Sequence, residues 1–89
     1  MIDKLIEHLH EELEDSKKYL HCARKSEGYA KTVYITLAGE ELQHSDMLME
    51  LGNKMNFDKE SRDGIIWEFE KGIIKHKQDK IKTELSYLK

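Results

Sequence analysis

Two segments of this chain carry the spacing of metal ligands. Glu41-Leu42-Gln43-His44 sets a carboxylate and an imidazole three residues apart, which on a helix puts both on one face within reach of one ion. Glu7 and His10 repeat the spacing. In a chain this rich in Glu and His roughly one such pair arises by chance, so the surroundings have to choose between them. Steps of 3.5 residues through the second segment give Ala30, Tyr34, Leu37, Glu41, His44, Leu48, Leu51 and Met55, an apolar seam interrupted only by Glu41 and His44. Ile2, Leu5, Leu9, Glu12, Ser16, Tyr19 and Ala23 form a similar seam upstream, interrupted by Glu12. Burying these groups without a partner costs several kcal/mol, and a bound cation would compensate them. Glu7 and His10 lie off the seam and read as surface residues. Carboxylates with an imidazole favour iron; manganese fits the same donors, and zinc can bind them adventitiously.

The elements that must position these groups are helices. The first is expected over about residues 2–25, with Leu5, Ile6, Leu9, Leu13, Leu20 and Ala23 buried. Ser26, Glu27 and Gly28 allow only a short turn, which makes the second helix, about 29–51, an antiparallel neighbour ending at Gly52 and Asn53. Glu12 and Glu41 lie nearly equal distances from Glu27, so the hairpin brings them to one level, roughly 22 Å from the turn at 1.5 Å per residue. Small side chains at Ser16 and Ala38 are expected to leave room beside them. A third helix, about 59–87, follows possible caps at Asp58 and Ser61, with Ile66, Trp67, Phe69, Ile73, Ile74, Ile81, Leu85 and Leu88 as its stripe. Gly64 and Gly72 suit close contact with another helix, and Lys75, His76, Lys77, Lys80 and Lys82 read as a solvated basic face, with docking to an acidic surface as the alternative.

Composition agrees with an all-α domain spanning residues 1–89. Charged residues make up 37%, aromatics 8%, and proline is absent. The net charge of -3, without a basic run interleaved with aromatics, argues against a nucleic-acid partner. No apolar run approaches the roughly 18 residues of a membrane span, and the charged N-terminus is unlike a signal peptide. A single cysteine, Cys22, precludes an intrachain disulfide or a four-cysteine zinc site. The expected location is cytoplasmic.

Four-helix bundles that hold two irons take one Glu from each of two helices and Glu-x-x-His from each of the other two. This chain supplies half of that set, since the third helix offers Glu68, Glu70 and Glu84 but no second Glu-x-x-His. A pair of chains about a twofold axis completes it, so the expected unit is a homodimer closing a four-helix bundle.

At Glu11-Glu12-Leu13-Glu14-Asp15-Ser16-Lys17-Lys18-Tyr19 and Leu37-Ala38-Gly39-Glu40-Glu41-Leu42-Gln43-His44 the chain resembles the ferritin-like superfamily. Its short one-site members, the encapsulated ferritins, are the nearest in pattern. Rubrerythrins and bacterioferritins share the Glu seven residues before a Tyr, followed by Glu-x-x-His on the next helix. The resemblance covers about residues 5–52. It implies a di-iron ferroxidase that oxidises Fe2+ for storage or detoxification, with Glu12 a terminal iron ligand, Glu41 bridging two irons and His44 completing each iron's shell. Tyr19 matches an aromatic just outside the ligands, and Glu11 and Glu14 match acidic positions near the iron access route. The implied assembly is at least a dimer, extending to a ring of dimers, with an encapsulin shell as partner, although no obvious C-terminal targeting tail is present. A reading of a different class makes Glu12, Glu41 and His44 a metal-free hydrogen-bonded network that fixes the register of a helical interaction module.

Overall fold

The computed structural model describes residues 2–89 and contains three helices and no strand among them: α1 Ile2–Arg24, α2 Gly28–Lys54 and α3 Arg62–Leu88. They form an elongated up-down-up bundle of 50 × 19 × 16 Å. No helix is long and apolar enough to cross a membrane.

α1 buries Ile2, Leu5, Leu9, Leu13, Ser16, Leu20 and Ala23, one side chain every three or four residues. The connection to α2 is tight. Ser26 donates its hydroxyl to the Cys22 carbonyl at 2.8 Å, and its amide donates to the Ala23 carbonyl at 3.2 Å, so the last carbonyls of α1 are satisfied locally. Gly28 then takes φ +61°, a conformation side chains avoid, and reverses the chain.

The inner face of α2 is rotated from the expected seam. Its buried residues are Ala38, Leu42, Ser45 and Gly52, while Glu41, Tyr34, Leu37 and Leu48 are half-buried and Ala30, His44 and Leu51 exposed. One residue along a helix is about 100° of rotation, so the seam read through Glu41 and His44 is the flank of the core. The small side chains on the true inner face explain the difference. Ser16 and Ala38 are both fully buried, and the Ser16 hydroxyl donates to the Ala38 carbonyl at 2.8 Å. These residues draw the two helices together and do not leave room between them.

α2 also runs past its expected end at Gly52 and Asn53, which lie inside the helix. Gly52 is buried against the Trp67 ring, where an added Cβ would stand 2.2 Å from the indole. The bare backbone serves close packing, and the Trp67 indole N–H donates to Asn53 Oδ1 at 3.2 Å. The left-handed residue that turns the chain is Asn56, at φ 52°.

Ser61 caps α3 by accepting from the Gly64 amide at 3.0 Å. Gly64 permits close approach, but to the Asp58 carbonyl just upstream and not to another helix; Gly72 has open space around it. Trp67, Ile74, Ile81 and Leu85 join the apolar core, whereas Phe69, expected in the stripe, is exposed on the outer face. The buried Gln78 donates to Ser45 Oγ at 2.9 Å and Asp46 Oδ1 at 3.0 Å, tying α3 to α2. Among the described residues no buried side-chain nitrogen or oxygen lacks a hydrogen-bond partner.

The two glycine environments predict opposite effects. Gly52→Ala should destabilise the protein by about 1 to 3 kcal/mol, because the Trp67 ring must move. Gly72→Ala, in open space within a helix, should stabilise it by about 1 kcal/mol. Urea unfolding measures both; equal stability of the two variants would show that Trp67 does not need the space over Gly52.

Candidate metal centre

Glu12 comes from α1, and Glu41 and His44 from α2. Each is next in sequence to a buried residue: Leu13, Leu42 and Ser45. Core packing of those neighbours places the three polar groups on the flank of the hairpin. One turn from Glu12, the Ser16–Ala38 hydrogen bond sets the register that brings them level.

One ligand atom from each of Glu12, Glu41 and His44 lies within 4.8 Å of the other two. His44 Nδ1 is 3.1 Å from Glu12 Oε2 and 3.8 Å from Glu41 Oε1. Side-chain exposure rises from 19% for Glu41 to 27% for Glu12 and 54% for His44, so the cluster is rooted in the hairpin and open to solvent at its rim. On α1 the residues paired with α3 are Asp3, His10 and Arg24. Glu12, two residues past His10, points roughly 200° away from that direction. The cluster therefore occupies the face of the hairpin that α3 leaves uncovered.

Glu41 behaves as the most perturbed group of the site. Its pKa is raised from 4.5 to about 7, first by sharing a hydrogen bond with Glu12, then by loss of solvent, then by repulsion from Glu12; His44 opposes the rise and Asp15 adds to it. A divalent ion placed between two carboxylates held together in this way would displace the proton and neutralise the repulsion. With one imidazole nitrogen facing the same point, the donor set fits iron or manganese.

The other expected site residues are dispersed. Tyr19 is half-buried and stacks on Tyr34 with ring centroids 6.4 Å apart, one side of the cluster toward the hairpin turn. Glu11 is exposed and borders a groove of about 370 Å³ shared with His8, Glu12 and His44. Glu14 is also exposed and pairs with Lys17 at 3.5 Å. Asp15 was not anticipated, although its position three residues after Glu12 puts it on the same side of α1. Of the second Glu-x-x-His, Glu7 is exposed and pairs with Lys4 at 3.6 Å. His10 is not a free surface residue: it bonds Glu70 at 2.9 Å and Lys77 at 3.1 Å, across the α1–α3 contact. Its partners lie 60 and 67 residues away, beyond what spacing on one helix can show.

The chain matches no family model, no curated protein and no solved structure.

The protonated Glu41 makes a pH prediction. A carboxyl whose pKa is higher in the folded state than in the unfolded chain favours folding most below its unfolded value, and that contribution is lost as pH rises through the folded value. Metal-free protein should therefore lose stability between about pH 4.5 and pH 7 through this group. Glu41→Gln removes the titration, so its melting temperature in chelator should exceed the wild type's above neutrality, with a flatter pH profile. Parallel pH profiles for the two proteins would refute the shared proton.

Proposed function

We propose that two copies of this chain pair through the open α1–α2 face and together form a di-iron carboxylate centre that oxidises Fe2+ to Fe3+. The observation carrying this reading is the convergence of Glu12, Glu41 and His44 within 4.8 Å of one another, where the hydrogen bond with Glu12 raises the Glu41 pKa to about 7. Each chain holds half of the ligand set used by di-iron bundles, and the missing half can only come from outside it. Large apolar side chains flank the cluster on α2: Met47 is 68% exposed and Leu51 51%, a surface a second hairpin would cover. The reading agrees with the resemblance to encapsulated ferritins in the same three residues.

Iron is the substrate. Two Fe2+ release two electrons; dioxygen takes them with two protons to give hydrogen peroxide, or peroxide takes them with two protons to give two waters. Glu12 and Glu41 supply negative charge that holds Fe3+ more strongly than Fe2+, which favours oxidation. Glu41 gives up its proton as the cations bind. His44 contributes a neutral nitrogen donor, and its half-exposed ring lies at the open rim, where ions arrive.

One observation favours the metal-free network instead. The Glu12–His44 hydrogen bond at 3.1 Å already partners two of the three groups without a metal. In that reading Glu41→Gln weakens a charge-assisted bond and costs about 1 to 3 kcal/mol in chelator.

Under the ferroxidase reading, anaerobic Fe2+ should move the protein from monomer toward dimer in sedimentation, and iron oxidation should appear on admitting air. Glu41→Ala should lose oxidation almost completely, Glu14→Ala only partly, and Glu7→Ala should change little. A protein that stays monomeric with two tightly bound irons, or equal losses in Glu41→Ala and Glu14→Ala, would contradict the assignment.

A further inference from the structure

The outer face of α3 carries large apolar side chains that the rest of the chain does not cover. Trp67, Ile74 and Ile81 turn inward to the core, and at 100° per residue Ile65, Phe69 and Gly72 lie on roughly the opposite side of the helix. Phe69 is 70% exposed and Ile65 59%. Gly72, three residues from Phe69, has open space where a Cβ would stand. A groove of about 460 Å³ opens beside it between α2 and α3, with Met49 and Asn53 on its α2 side. A protruding ring thus stands one turn from a hollow with room for a ring.

A knob and a hollow on one helix are complementary to a second copy of themselves. When two copies of α3 lie antiparallel about a twofold axis between residues 70 and 71, Phe69 of each copy meets Gly72 of the other. Charge selects the same axis. Residues 58–70 carry five carboxylates and two cations, whereas residues 71–82 carry five cations and one carboxylate. The sign changes where the axis falls, so antiparallel pairing sets the acidic half of each helix against the basic half of the other; parallel pairing would set like against like. Glu68 and Lys75 border the same hollow, and the axis brings Glu68 of each copy within reach of Lys75 of the other. The Glu68–Lys71 pair within the helix is exposed and easily exchanged. Arg62, which would face the basic half, is already met by Asp3 and Asp63.

We propose that α3 carries a self-association surface that needs no metal: two copies pair antiparallel, each laying Phe69 over Gly72 and Met49 of the other, with Glu68–Lys75 pairs at the edge. The inference does not rest on the metal centre, which occupies the face of the hairpin that α3 leaves uncovered. The paired segment, Arg62 to Lys80, is roughly 27 Å long, a one-helix contact smaller than a standard stable interface, so the expected Kd is on the order of 100 μM.

Sedimentation of the full-length chain in chelator, from about 10 μM to about 1 mM, tests it: monomer is expected at the low end and dimer at the high end. Amide NMR shifts on dilution should concentrate at Ile65, Phe69 and Gly72 and spare Glu12 and Glu41. Phe69→Ser and Gly72→Gln, which removes the knob or fills the hollow, should each weaken pairing about tenfold or more, while Tyr87→Ser, an exposed aromatic beyond the paired segment, should not. Glu68→Lys and Lys75→Glu should each weaken pairing alone, and an equimolar mixture of the two should restore it, because both cross-pairs regain opposite charges. The proposal is overturned by a chain that stays monomeric at about 1 mM, by an equal loss in Tyr87→Ser, by dilution shifts on the hairpin face instead of α3, or by a mixture that pairs no better than either variant alone. Circular dichroism of each variant, matched to the wild type, keeps a folding defect from passing for lost pairing.

Discussion

The close approach of α1 and α2 at Ser16 and Ala38 governs the rest of the molecule. Both side chains are small, both are fully buried, and a hydrogen bond from the Ser16 hydroxyl to the Ala38 carbonyl locks one helix to the other. A larger residue at either position would push the helices apart. A shift of the register by one residue would rotate Glu12 away from Glu41 and His44. The polar cluster is thus a consequence of packing one turn away, and its geometry is set before any ligand is present.

The cluster is expensive for the isolated chain. The Glu41 pKa is raised to about 7 by a hydrogen bond with Glu12, by loss of solvent and by repulsion from the Glu12 charge. The remaining polar groups of the core have no such conflict: Gln78 meets Ser45 and Asp46, and Trp67 meets Asn53. The strain is confined to the face that α3 does not cover, where exposed Met47 and Leu51 also lie. The proposed second hairpin and cations would relieve both the unfavourable charge and the unfavourable apolar exposure of this face.

The hairpin was legible in the sequence because its turn is short and its helices are periodic, and counting outward from Glu27 sufficed to bring Glu12 opposite Glu41. The rotation of α2 was not. A seam interrupted by Glu41 and His44 reads as the centre of an apolar stripe, but the inner face consists of Leu42 with Ala38, Ser45 and Gly52, and the last three are small residues that carry little hydrophobic signal. Gly52 has the same appearance in sequence whether it ends a helix or receives an indole. His10 was misplaced for another reason: its partners Glu70 and Lys77 belong to α3, and no local pattern reveals how a third helix lies across the first.

The central claim is that iron occupies a site made jointly by two chains. Crystals grown anaerobically with Fe2+, measured on both sides of the iron absorption edge, test it most directly. The account predicts two anomalous peaks for each pair of chains, lying between two facing hairpins, each within bonding distance of Glu12, Glu41 and His44 side chains and bridged by Glu41. Iron elsewhere on the surface, or chains that pair through another face with Glu12 still bonded to His44 and no metal between them, would contradict it.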